Sequence, residues 1–374
     1  MRDWFAYSAY ARPELAQAVN RQLDAIFRDF HARLSDQRAN GSLYVTGSLA
    51  RQEPSIDIRG PSARLRSDID LVFATTEEEV ANPCIASLEH WARELWPDYD
   101  VSVVFVPLAG VHELRSCFAR DFSLAVDAPL YQGVAGCAAL PKRTATTTDY
   151  FESAIHQAAS LLLFDDTGGS REWLYSRDRD YHRVRAALEL LRCIVATETP
   201  VVRLCELREH ANAVSLRRLV TPEEVVVAIR ARELFDGTGT SLDVLDLLRA
   251  AASICIVDGT PDRGYYDVVA ALDAAPPTDQ IIPGFQRAFL AYAMGLGAGA
   301  PRETTPLVRR IIGALSVDAV TAWPESRKVG RDRERRWSSD GCALQLRLLR
   351  EDYLAALHRR NLGWELPTRS RVHS

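Results

Sequence analysis

Apolar residues recur at helical spacing between Pro13 and Arg38, where Leu15, Val19, Leu23, Ile26 and Phe30 share one face and predict a long helix. Ala39-Asn-Gly-Ser42 reads as a turn. The period then shortens. Leu43 begins an apolar strand that ends at Gly47-Ser48, and Asp68 to Ala74 reads as a second strand. Thr75-Thr-Glu-Glu-Glu79 supplies the hydroxyls and acids that open helices, predicting one that runs to about Leu95, ahead of Pro97. Tyr99 to Val106 is a third strand, Val111 to Arg120 a second helix after the strands begin, and Phe122 to Tyr131 a fourth strand or extended edge segment. Such an order predicts a small mixed sheet flanked by helices.

Beyond Gly136 the pattern is helical throughout. Asp149 to Phe164, Tyr181 to Thr197, Thr221 to Leu234, Leu242 to Ile256 and Ile281 to Met294 each carry apolar residues at helical spacing, with no strand ladder between them. Breaks at Asp258-Gly-Thr-Pro-Asp262 and Leu296-Gly-Ala-Gly-Ala-Pro301 punctuate this half. An arginine-rich stretch, Val329 to Arg336, precedes a last amphipathic helix over Ala343 to Arg359. The expected fold class is α+β: a mixed-sheet domain over residues 1–140, then a helical domain over 141–374, with a further split near 296–301 left open.

Composition narrows the classes. A chain of 374 residues is long for one core, and 47% apolar residues suffice to bury two. The net charge of −5 argues against bulk electrostatic attraction to nucleic acid, though not against a local basic patch. Seven scattered cysteines, odd in number and never spaced Cys-x-x-Cys, favour reduced thiols over disulfides or zinc. With no signal-peptide run after Met1 and no stretch of transmembrane length, a cytoplasmic location is expected. Only Lys142 and Lys328 are lysines, which reads as genome composition.

The candidate chemistry lies in Ser67-Asp-Ile-Asp-Leu-Val-Phe73. Strand alternation sets Asp68 and Asp70 side by side while Ile69 and Leu71 face the core. Two like charges so close are costly unless a cation sits between them, and magnesium takes carboxylate, water and phosphate oxygens together. Gly47, lacking a side chain, lets backbone N–H groups of the Gly47-Ser48 turn approach a phosphate.

Leu43-Tyr-Val-Thr-Gly-Ser-Leu-Ala-Arg51, followed by Ser67-Asp-Ile-Asp-Leu-Val72, resembles the DNA polymerase β-type nucleotidyltransferase superfamily, whose signature is a Gly-Ser turn and then an Asp-x-Asp strand. The resemblance spans roughly residues 40 to 132. It implies a third carboxylate on a later strand, for which Asp100 in Tyr99-Asp-Val-Ser-Val-Val-Phe105 is the candidate, with Asp98 and Asp127 as rivals. Ser102 shares a strand face with Asp100, so a register error would put a hydroxyl at the carboxylate position. The resemblance further implies two magnesium ions (manganese as the alternative) on Asp68, Asp70 and Asp100, a nucleoside triphosphate substrate such as ATP held through Gly47 and Ser48, Asp100 as general base, and pyrophosphate as product.

Two features depart from the family pattern. Gln52 stands where the family often has glycine. Ile56 to Arg66, with Gly60-Pro61 and three arginines, reads as a surface insertion beside the nucleotide cleft, carrying substrate contacts or forming an inert loop. In the helical half Arg183 and Arg185 either meet a triphosphate or line a solvated face. The run from Arg327 to Arg336 either contacts RNA or a phosphorylated acceptor, or is a linker. His156 and His182 read as ordinary helix residues. The expected activity is transfer of a nucleotide to an acceptor hydroxyl, a small molecule ranking ahead of protein, RNA or an oligonucleotide signal. A nucleotide-binding or partner-binding protein without turnover is the alternative.

Overall fold

The computed structural model describes residues 2–59, 62–76, 78–108, 116–125, 127–133, 145–161, 172–235, 241–315 and 339–362. In chain order come α1 (Pro13–Asp36), β1 (Ser42–Val45), α2 (Gly47–Ala50), β2 (Ile56–Arg59), β3 (Ser62–Leu65), β4 (Ile69–Thr75), α3 (Glu78–Leu95), β5 (Val101–Pro107), α4 (Ser116–Ser123) and β6 (Tyr131–Gln132). The helical half follows with α5 (Thr147–Ala159), α6 (Glu172–Val195), α7 (Leu204–Glu209), α8 (Val214–Arg217), α9 (Pro222–Glu233), β7 (Leu234–Phe235), α10 (Val244–Ala252) and a π-helical turn at Ser253–Val257. It closes with α11 (Tyr265–Ala274), α12 (Ile281–Gly297), α13 (Pro301–Ala314) and α14 (Ser339–Leu362). The fold is mixed α+β, predominantly helical, with a small mixed sheet.

That sheet has the order β5-β4-β1-β6. β1 runs antiparallel to β4 and β6, with Leu43 opposite Phe73 and Val45 opposite Leu71, and β4 runs parallel to β5, with Asp70 opposite Ser102. Alternation divides its side chains. Leu43, Val45, Ile69, Leu71, Phe73, Val103 and Phe105 face one apolar core shared with α1 and α3. Tyr44, Val72, Ala74 and Val106 face the other side, where Ala119 and Phe122 of α4 cover them. Asp70 lies in the second set by parity, beyond the part of that face packed against α4.

The expected strand over Phe122 to Tyr131 contributes only Tyr131–Gln132, because α4 runs on through Ser123 and carries Phe122 against Tyr44, ring centroids 5.4 Å apart. The Ile56 to Arg66 insertion is no inert surface loop. Its described residues form the hairpin β2–β3, with Ile56, Asp57, Ala63 and Leu65 buried, and β2 pairs in parallel with β7 at the end of α9. A second, three-stranded sheet, β3-β2-β7, thus joins the hairpin to the helical half, where no strand was expected. Helices α7, α8, α11 and α13 were likewise unforeseen. The 258–262 break follows the π turn, and the 296–301 break connects α12 to α13, which bury residues into the same apolar cluster. Among the described residues no helix is long and apolar enough to cross a membrane. The described cysteines are all free thiols, four of them buried.

Candidate active site

β1 ends beside the start of β4, and this crossing positions the turn. The Thr46 N–H donates to the Asp70 carbonyl at 2.8 Å, after which Gly47 turns into α2 with φ +62°. A Cβ at residue 47 would stand 2.6 Å from Asp70 Oδ2, so glycine is needed both for the left-handed backbone and for the approach of the carboxylate. Asp68 and Asp70 line a cavity of about 360 Å³ together with Gly47 and Ser48, so four of the five sequence candidates meet at one place.

Asp70 is short of compensation. Burial, and then the Asp68 charge, push its carboxyl up to about 6, against the opposing effects of a 3.0 Å hydrogen bond from Ser102 Oγ and the charges of Arg185 and Arg51. Asp68 has Arg185 Nη1 at 4.0 Å, the outer limit of an ion pair. A carboxylate held partly buried and raised in this way fits a cation, and the donor set of Asp68 and Asp70 suits a hard ion such as magnesium.

The fifth candidate lies elsewhere. Asp100 precedes β5 on an exposed position, its carbonyl accepting from Ile69 N–H at 2.7 Å, and it is not among the cavity-lining residues. Parallel register sets Ser102, not Asp100, beside Asp70. Among the described residues no group of three or more His, Cys, Asp or Glu side chains is arranged to hold a metal. Of the rivals, Asp98 pairs with Arg64 at 3.1 Å on the surface, and neither it nor Asp127 lines the cavity.

Further along the cavity wall lies a charged network absent from the sequence reading. Glu53, 1% exposed, accepts from Arg51 Nε and Arg192 Nη2, each at 2.7 Å, and from the Leu204 N–H at 2.6 Å. Arg51 also meets Asp121, which takes Arg120 Nε at 2.8 Å, and Arg192 Nη1 reaches Glu189 at 2.7 Å. Three guanidiniums thus face three carboxylates. Burial alone would raise Glu53 and Glu189, but the arginines outweigh it: Glu53 ends below its usual range and Glu189 falls to about 2. The network bridges α2 and its following loop to α4, α6 and α7. Its partners lie up to 151 positions apart, Leu204 to Glu53, so no local motif announces it.

Arg185 and Arg183 part company. Arg185 lines the cavity, whereas Arg183 Nη2 donates to the Leu242 carbonyl at 3.3 Å. His156 lines the cavity from α5; His182 does not, and burial with the nearby Arg185 and Arg66 charges pushes it down to about 4. The Arg327 to Arg336 run lies outside the described residues. Gln52, at the position of the expected glycine, adopts φ +59°.

Compared with known proteins, the chain matches no family model, no curated protein and no solved structure.

Proposed function

We propose that the chain is a nucleotidyltransferase that moves a nucleoside monophosphate from a triphosphate, such as ATP, to an acceptor hydroxyl and releases pyrophosphate, acting on a small molecule in the cytoplasm. The observation that carries this reading is the apposition of Gly47 and Asp70. A glycine in the left-handed region abuts a carboxylate raised to about 6, with a second carboxylate two residues away on the same face. Structural acids are normally paired as Glu53 is; a carboxylate raised by burial and by a neighbouring acid, as Asp70 is, is costly and is retained where a ligand neutralises it.

Asp68 and Asp70 would hold magnesium, which when bound supplies positive charge to the phosphate oxygens. The chain's own residues do the positioning. The Gly47-Ser48 backbone presents N–H groups to the phosphates, and Ser102 orients the Asp70 carboxylate by donating to Oδ1. The paired network around Glu53 ties the Arg51 loop to α6 and fixes the distance between the cavity walls.

A second reading, nucleotide binding without turnover, is favoured by one observation: Ser102 stands beside Asp70, and Asp100 lies outside the cavity. One experiment separates the two. The purified chain is incubated with magnesium and each of four labelled ribonucleoside triphosphates, with and without cell extract as acceptor source, and pyrophosphate and label transfer are followed by mass. Transfer lost in Asp70→Ala supports the first reading. Triphosphate binding without pyrophosphate release for any acceptor supports the second.

A further inference from the structure

The helical wall facing Asp68 carries a cluster that nucleotide transfer as described does not use. Tyr181 of α6, 3% exposed, is surrounded by three guanidiniums: Arg66 at 4.8 Å, Arg232 at 5.4 Å and Arg185 at 5.5 Å from its ring centroid. Arg232 is 7% exposed and lines the cavity from the end of α9. Its Nη2 donates to Ser67 Oγ at 3.4 Å, while its Nη1 is buried with no hydrogen-bond partner, and it forms no ion pair among the described residues. Among the described residues the carboxylate in ion-pair range of Arg185 is Asp68, at 4.0 Å.

The charges are out of balance. Burial lowers Arg232 below its usual value, Arg185 and Arg51 lower it further by repulsion, and the phenol of Tyr181 and the Glu53 carboxylate oppose them without restoring it. Burial would raise the Tyr181 hydroxyl, yet Arg232 and Arg185 bring it below its ordinary range. A buried guanidinium with an unused N–H beside other cations is the arrangement that an oxyanion completes, since carboxylate and phosphate take the planar guanidinium fork in paired hydrogen bonds.

Position distinguishes this cluster from the donor phosphates. Gly47 abuts Asp70, whereas Arg185 reaches Asp68 at 4.0 Å and Arg232 donates to Ser67, so the turn and the arginines meet different members of the Ser67 to Asp70 segment. The hairpin helps build the cluster. Arg66 and Ser67 follow β3 directly, and the Ser55 hydroxyl ahead of β2 donates to the Arg232 carbonyl. We propose that Arg232, Arg185, Ser67 and Tyr181, with Arg66 behind the ring, form an oxyanion subsite that takes a phosphate or carboxylate of the acceptor, making the acceptor an anionic small molecule. This proposal rests on the nucleotidyltransferase reading for the word acceptor; the oxyanion site itself is tested apart from turnover.

The test titrates the intact chain by calorimetry with two probes, inorganic phosphate without metal and a non-hydrolysable ATP analogue with magnesium. Arg232→Gln is expected to weaken phosphate binding about tenfold or more and to leave the ATP analogue's affinity unchanged, while Asp70→Asn weakens only the analogue. Arg185→Gln, at a partly exposed position, serves if Arg232→Gln does not fold, and should weaken phosphate in the same direction. Equal loss of both probes in the arginine variants would assign the cluster to the donor triphosphate and overturn the proposal, as would phosphate binding that is absent in wild type or indifferent to both variants. Phosphate binding at Arg232 with no analogue binding in wild type would sink the nucleotidyltransferase reading and leave the oxyanion site standing.

Discussion

One cavity is lined by two clusters of charge, and they are built on opposite terms. Around Glu53, three arginines and three carboxylates satisfy one another at hydrogen-bond distance, and Glu53 and Glu189 titrate below their usual range. Around Asp70, two carboxylates share a strand face with only a hydroxyl donor and a distant guanidinium, and Asp70 is raised to about 6. The first arrangement is what a protein needs to hold two walls together. The second makes sense when a ligand supplies the missing charge. Burial disfavours the charged form in both clusters, so the sign of each shift reports whether the partners are already present.

The largest expected effect breaks the unpaired cluster. Asp70→Ala should lower magnesium-dependent pyrophosphate release by about four orders of magnitude, some 5 kcal/mol of transition-state stabilisation. Asp100→Asn, outside the cavity, should change the same assay by less than about threefold. A loss at Asp100 as deep as that at Asp70 would show that the third carboxylate acts there after all.

Breaking the paired cluster should cost stability. Glu53→Gln leaves Arg192 and Arg51 buried without their shared carboxylate and should destabilise the fold by about 3 to 5 kcal/mol, read from denaturant unfolding at pH 7. A change under about 1 kcal/mol would mean that water reaches the site and the network is not the tie proposed.

pH separates the clusters by sign. Glu53 and Glu189 are depressed, so their contributions are present above the unfolded carboxylate value, near 4.3, and are lost as pH falls toward their folded values. Asp70 is raised, so the folded state binds its proton more tightly than the unfolded one, and stability falls as pH rises from about 4 to about 6. Metal-free Asp70→Asn should therefore be more stable than wild type by about 3 kcal/mol at pH 7.5, with the gain vanishing near pH 4. Saturating magnesium should erase much of the difference by stabilising wild type alone. A gain that persists at pH 4, or none at pH 7.5, would show that Asp70 is not held at the cost inferred.

These contrasts also separate what the chain discloses locally from what it does not. α1, β4 and β5 are legible because their apolar periods are long and uninterrupted, β1 because its short run Leu43-Tyr-Val45 is apolar throughout, and Gly47, Ser48, Asp68 and Asp70 because they are neighbours along two strand ends. The hairpin β2–β3 is hidden: its strands are four residues each, carry Asp57, Arg59 and Arg64, and flank a Gly-Pro pair that reads as a loop. Its partner strand, the two-residue β7, comes from a part of the chain 178 positions away. Asp100 and Ser102 share a face, so alternation alone could not choose between them; the parallel register of β4 and β5 did. The Glu53 and Arg232 clusters have no spacing to read, because their members come from elements distant in sequence.

The smallest effect concerns the turn itself. Gln52 adopts φ +59°, a conformation that costs a non-glycine residue about 1 to 2 kcal/mol, at the position where glycine was expected. Three backbone hydrogen bonds enforce it: Gln52 N–H to Leu49 O at 3.1 Å, Glu53 N–H to Ser48 O at 3.0 Å, and Tyr7 N–H to Gln52 O at 3.2 Å. The last two tie the strained residue to the Ser48 carbonyl and the N-terminal segment, and Glu53 follows it directly into the paired network. Gln52→Gly relieves the strain but frees the unfolded chain, so the net gain should be about 0.5 to 1 kcal/mol, measured as a small rise in melting temperature. The gain should appear without change in Asp70 titration, since the paired cluster holds Glu53 in place whichever residue precedes it. A loss of stability on adding glycine would mean that the Gln52 side chain makes a contact worth more than the strain it carries.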